Sequence, residues 1–158
     1  MDAVKYMKIQ QEMMKAADKA EWKGKMTNQW FQYEYDGNQV VSDGHFLALI
    51  PNSLFFLDPV KSTSGKMPFE GAKKIVDDKY QTEPAKDEKT TEIATVMNKK
   101  LNLHKFKLRN GEEMYVDENL LKYFDLDLCK FTGTTKKNLL YIWYGDALVG
   151  AVLPVNYK

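Results

Sequence analysis

The first twenty residues place their apolar positions at helical spacing. From Asp2 to about Ala20 the chain holds good helix formers with no glycine or proline, and at about 100° per residue Tyr6, Ile9, Met13, Ala16, Ala17 and Ala20 fall on one face. Asp2 is placed to cap this helix or to favour the positive end of its dipole. Lys5, Lys8, Lys15 and Lys19 gather on the other side with Glu12 among them, and the small alanines let the helix sit close on a sheet with its lysines pointing away. After the polar connection Trp22 to Asn28 the period changes to two. Gln29 to Tyr35 alternates Trp30, Gln32 and Glu34 against Phe31, Tyr33 and Tyr35, and Asp36-Gly37-Asn38 is a strong hairpin signal leading into Gln39 to Ser42. A Ser42-Asp43-Gly44 turn then opens a further strand, His45 to Ile50, ended by Pro51. The first third therefore predicts an α-β-β-β order.

The middle is less regular. Leu54-Phe55-Phe56-Leu57 is a short apolar run that fits a buried strand or a packed loop. Pro68 can open a short helix through about Tyr80, with Phe69, Ala72, Ile75 and Val76 as its apolar positions. Thr82 to Thr91 is the most hydrophilic segment and reads as an exposed loop or a strand edge of low order, while Thr91 to Met97 has β-branched alternation. Lys105 to Arg109, the Asn110-Gly111 turn and Glu113 to Val116 form a hairpin pattern. Asp117 is then placed to cap a helix through about Phe124, with Leu120, Leu121 and Phe124 facing inward. Three strand-like runs close the chain: Leu128 to Thr132, Leu139 to Tyr144 and Ala147 to Val155. The final third thus repeats the order of the first. The expected architecture is one α+β domain over 1–158, with a first unit of about 1–57, an irregular connection of about 58–103 containing a short helix, and a second unit of about 104–158.

Three stretches resemble a known family. Ser42-Asp43-Gly44-His45-Phe46-Leu47-Ala48-Leu49 resembles the T-D-G-H-R-L-A-L turn of bacterial DNA polymerase sliding clamps. Tyr115 to Phe124 resembles the clamp segment in which a strand ending in Val-Asn leads to a helix with a Tyr-Leu pair; here Asp117 replaces the Asn and Leu120-Leu121 the Tyr-Leu. Leu139 to Val155, ending in Gly150-Ala151-Val152-Leu153-Pro154-Val155, resembles the last clamp hairpin and its terminal M-P-x tail, with Leu153 where the family commonly has Met. The resemblance covers roughly 1–57 and 104–158. It implies a clamp-like domain of two helix-plus-three-strand units, with helices packed on one side of the sheet layer. It also implies double-stranded DNA as a partner of the Lys5, Lys8, Lys15 and Lys19 face, and a cleft for replication-protein or polymerase peptides bordered by Leu153, Pro154 and Val155. Clamps carry several such domains per chain and close into a ring, whereas this chain is long enough for one, so a ring would need a homo-oligomer.

Composition narrows these expectations. With 158 residues, 44% hydrophobic, the chain can bury a sizeable core, and a net charge of +1 means that any nucleic-acid surface is local. Twenty-two of the 23 basic residues are lysine and only Arg109 is arginine, which favours sequence-independent attraction over bidentate base reading. Cys129 is the single cysteine, so no intramolecular disulfide forms. It reads as a small apolar strand residue. The opening lacks the continuous apolar run of a secretion signal and no stretch approaches a membrane span, so a cytoplasmic location is expected. His45 beside Asp43 is explained by the turn, His104 is isolated, and no phosphate-binding glycine loop, zinc-type cluster or nucleophile elbow is present. Neither a catalytic residue, a metal site nor a cofactor is expected. Two functions follow: a non-enzymatic, self-associating clamp-like module that binds DNA without sequence specificity and serves replication processivity, or an adaptor or inhibitor that mimics a clamp domain and binds replication proteins without touching DNA.

Overall fold

Twenty consecutive residues without a helix breaker wind into α1 (Ala3–Trp22), and Tyr6, Ile9 and Met13 are buried along one side of it. The computed structural model describes residues 3–22, 30–57 and 69–157, so the expected Asp2 cap lies outside the described residues. Ala16, Ala17 and Ala20 are half-buried, leaving the alanine end of the stripe less covered than the other end. The chain divides into two compact units, Met1–Asp77 and Asp78–Lys158. The first takes in the α-β-β-β order read from the sequence together with a second helix.

In the first unit, β1 (Phe31–Tyr35), β2 (Asn38–Ser42) and β3 (Phe46–Pro51) form an antiparallel meander, with Tyr33 opposite Val40 and Val40 opposite Leu49. Asp36 and Gly37 join β1 to β2 with φ of 54° and 80°, the doubly left-handed geometry whose twist suits a two-residue hairpin. Val40 and Val41 are buried, as are Phe46 to Ile50 in unbroken succession, so β3 is covered on both faces. Leu54 to Leu57 is a loop rather than a strand, opened by the 3₁₀ turn Asn52–Leu54, with Leu54, Phe55 and Leu57 half-buried and Phe56 exposed. The helix expected from Pro68 onward is α2 (Phe69–Asp77), with Ala72 and Val76 buried as the spacing required; Pro68 lies outside the described residues.

The second unit holds six strands in the order β9-β8-β7-β4-β5-β6, antiparallel throughout: β4 (Glu83–Val96), β5 (Lys99–Lys107), β6 (Glu113–Asp117), β7 (Lys130–Gly133), β8 (Leu140–Tyr144) and β9 (Ala147–Val152). The class is therefore α+β. Here the structure corrects the expected irregular connection, because residues 83–96 and 99–103 are strand. Of the loop and the strand edge that the hydrophilic run 82–91 offered, residues 83–91 are strand, with no buried residue among them, while exposed and covered positions alternate along 91–96, where the sequence is β-branched. Of the two partners of β4, β7 is distant in sequence, and β5 follows directly across the Met97-Asn98 turn. Residues 83–85 pair with β7, whereas 86–87 and 91–96 pair with β5, and a register shift between Asp87 and Thr91 with Lys89 at φ 52° lets one strand serve both. Residues 58–68 lie outside the described residues.

Asp117 caps α3 (Glu118–Leu121) as expected, its Oδ1 accepting the Asn119 N–H at 3.0 Å. The helix is one turn rather than two, yet Leu121 and Phe124 are both buried. After β9 the chain turns along β6: the Val155 N–H donates to the Tyr115 carbonyl at 2.8 Å. Val155 and Tyr157 pack on a small core of Ala94, Leu103 and Tyr115. The expected strand through Val155 thus ends at Val152, and its last residues serve a different edge.

Candidate functional site

The outward side of α1 is the first candidate. Lys8, Lys15 and Lys19 are exposed, and Lys5 is half-buried. Lys8 to Lys19 spans about 16 Å of helix axis at 1.5 Å per residue. Glu12 carries opposite charge into the stripe, with Oε1 3.6 Å from Lys15 Nζ. Val4, Met7 and Met14 are also exposed and lie beside the lysines on the helical wheel, so the outward side is part basic and part apolar.

A buried polar residue that the periodicity did not single out fixes this helix. Gln10 is 1% exposed; its amide nitrogen donates to the carbonyls of Leu54 at 2.9 Å and Tyr6 at 3.3 Å, and its Oε1 accepts the Phe56 N–H at 2.7 Å. The carboxamide thereby supplies backbone partners that the 54–56 loop would otherwise lack. Its position at the edge of the apolar arc, next to Tyr6 and Ala17 on the wheel, was the available signal.

The Ser42 to Phe46 turn is closed by its own side chains. Asp43 Oδ1 accepts the N–H groups of His45 at 2.8 Å and Phe46 at 3.1 Å, and Ser42 Oγ accepts the Gly44 N–H at 3.0 Å. Gly44 supplies a φ of 94°. The Asp43 carboxylate is thus committed to backbone, while the His45 side chain is exposed.

The second candidate is a cleft of about 280 Å³ beside the final segment. Pro154, Val155, Tyr115 and Tyr157 give it apolar surface, and Glu113, Lys136, Lys137 and Asn156 complete the lining. Of the three residues expected to border a peptide site, Pro154 and Val155 line it; Leu153 does not, and is 43% exposed. Lys136 and Lys137 come from the β7–β8 connection, which the sequence pattern did not bring to this place. Tyr115 donates its hydroxyl to Glu113 Oε2 at 3.0 Å and meets Tyr157 edge to face at 4.9 Å. An apolar wall with a mixed, net basic rim suits a short extended peptide carrying an apolar anchor and an acidic group.

His104, isolated in sequence, acquires two carboxylates in the fold. Nε2 lies 2.5 Å from Asp87 Oδ1 and Nδ1 lies 3.6 Å from Glu118 Oε1, with the ring stacked at 4.8 Å on Phe106. Asp87 Oδ1 also accepts the Lys89 N–H at 2.7 Å. Because a carboxylate only accepts, Nε2–H is the donor, and the cluster serves as a brace between β5 and the irregular part of β4.

Among the described residues no group of three or more His, Cys, Asp or Glu side chains is placed to hold a metal ion, and no helix is long and apolar enough to cross a membrane. No family model matches the chain, and neither a curated protein nor a solved structure matches it.

Proposed function

We propose that this chain is a non-enzymatic binding module of sliding-clamp type that contacts duplex DNA, without sequence preference, through the outward side of α1. The observation that carries the reading is a helix with one side buried and fastened through Gln10, and with Lys8, Lys15 and Lys19 exposed on the other. Three or four lysines on phosphates would give a log–log salt slope of about −3. With a net charge of +1, one copy binds weakly, so useful affinity comes from summing copies after self-association. Fluorescence anisotropy of labelled duplex DNA, titrated at several salt concentrations, tests this. The quadruple charge reversal of Lys5, Lys8, Lys15 and Lys19 to Glu should abolish binding, and an unchanged slope would sink the mechanism.

The cleft beside Pro154 and Val155 favours a second reading, in which the chain is an adaptor or inhibitor that takes peptides from replication proteins without touching DNA. Captured peptides should be lost on Lys136→Glu with Lys137→Glu, with DNA binding unchanged. Retention of the peptides by that variant removes this reading.

A further inference from the structure

Three lysines on three neighbouring strands of the second unit share one face of the sheet. Lys86 on β4 is directly opposite Lys107 on β5. Continuing the β4–β7 register one residue past Ala85 and Phe131 sets Lys130 beside Lys86. Directly opposed residues point to the same face, here the one away from Phe106 and Phe131, whose rings meet at 4.8 Å. All three lysines are exposed. Strands stand about 4.8 Å apart, so the row Lys107, Lys86, Lys130 is about 10 Å long at the backbone.

The basic residues around this row have carboxylate partners, and the row itself has none. Arg109 Nη1 lies 2.7 Å from Glu83 Oε2. Glu113, opposite Lys107, has its carboxylate 3.6 Å from Lys105 Nζ and accepts the Tyr115 hydroxyl. Among the described residues Lys86, Lys107 and Lys130 make no ion pair. Like charges directly opposed across a strand pair repel, and nothing in this unit offsets that repulsion. A hollow of about 430 Å³ opens at the same place, lined by Pro84, Ala85, Lys86, Lys107, Leu108 and Arg109, with three cations and no carboxylate in its wall.

We infer that this hollow binds a compact, multiply charged phosphate ligand, of the class of a short polyphosphate chain, through Lys86 and Lys107, with Arg109 and Lys130 at its margins. An anion carrying several charges turns the repulsion between the two opposed lysines into a shared attraction. Lysine suits this, because its ammonium acts as a point charge on a long stem and two such stems can close on one anion. The compactness follows from what borders the row. It ends at Glu113 on one side, and on the other at Trp143, opposite Lys130, whose ring lies against Tyr80. The next basic residues along β5 and beyond it, Lys105 and Arg109, are matched by Glu113 and Glu83, so a nucleic-acid backbone leaving the hollow meets carboxylates. A peptide finds no free backbone here, because this part of β4 lies between β5 and β7. The site belongs to the second unit alone and stands whether or not α1 meets DNA.

Sodium tripolyphosphate titrated into the full chain at low salt should shift the amide resonances of Ala85, Lys86, Lys107 and Arg109 to a saturating end point. Lys86→Gln with Lys107→Gln, both at exposed positions and checked for folding by circular dichroism, should weaken binding about tenfold or more. Lys99→Gln with Lys100→Gln removes the same charge at the exposed β4–β5 turn and should leave the affinity within about twofold. Orthophosphate should bind about tenfold more weakly than tripolyphosphate, since it carries fewer charges. A wild-type chain whose four amides do not respond overturns the inference. So does an equal loss in the two double variants, which would make the attraction a property of net charge, or orthophosphate binding as tightly as tripolyphosphate. A single-stranded oligonucleotide that displaces tripolyphosphate from these amides at lower concentration also overturns it, because the face would then be a nucleic-acid surface.

Discussion

Asp87 and His104, seventeen positions apart, meet at 2.5 Å between Oδ1 and Nε2, and the same carboxylate oxygen accepts the Lys89 N–H. One side chain therefore fixes both the pairing partner of β4 and the point at which that strand loses register. Asp87→Ala should cost about 2 kcal/mol, since it leaves a buried imidazole donor and a backbone N–H without their acceptor. Asp87→Asn, which keeps an acceptor, should cost less. Urea unfolding followed by circular dichroism checks the order, and equal losses for the two variants would contradict it.

Gln10 offers a comparable test in the first unit. Gln10→Leu roughly keeps the volume and raises the hydrophobicity of the site but leaves the Leu54 carbonyl and the Phe56 N–H without their partner, so it should destabilise by about 2 kcal/mol. A leucine at this position that stabilised the protein would show that water satisfies the loop instead.

Stability should fall on the alkaline side. Burial, followed by the charges of Tyr35 and Asp77, pushes the Tyr33 hydroxyl up to about 12. Burial and Asp78 do the same for Tyr141, also to about 12, and burial with Asp125 raises the Cys129 thiol to about 11. Each group ionises more readily in the unfolded chain, so the unfolded state loses protons first. The contribution is fully present below pH 9 and is lost as pH rises through 11 to 12. Thermal midpoints should therefore drop steadily above pH 9, and a midpoint that held constant to pH 11 would refute the assignment. Alkylation of Cys129 at pH 8 should correspondingly be slow, with a rate still rising at pH 10.

The final segment should be anchored by Tyr157. Its hydroxyl donates to Glu92 Oε1 at 2.9 Å and its ring meets Tyr115. Tyr157→Phe should cost under about 1 kcal/mol and Tyr157→Ala about 2 kcal/mol, because the ring contact outweighs a partly exposed hydrogen bond. Hydrogen exchange at the Val155 amide, which donates to Tyr115, should accelerate in the alanine variant and stay near its original rate in the phenylalanine one.

The local elements were legible wherever local physics decides them. Helical periodicity set the Tyr6, Ile9 and Met13 face, and two consecutive left-handed positions at Asp36-Gly37 define their hairpin without help from distant residues. Asp117 as a cap and Asp43 as a turn-closing side chain are likewise choices made within three residues. What the tertiary structure decided is every feature whose partner is far along the chain. The first part of β4 is strand because β7 pairs with 83–85 and the far end of β5 with 86–87, and its exposed, polar side chains gave no alternation to reveal it. His104 finds carboxylates 17 and 14 positions away, on β4 and α3. Lys136 and Lys137 reach the Pro154 cleft only because β8, which their connection enters, pairs with β9. A side-chain period records which face of an element is covered. It carries no record of what covers an edge, since backbone hydrogen bonds are the same for every sequence.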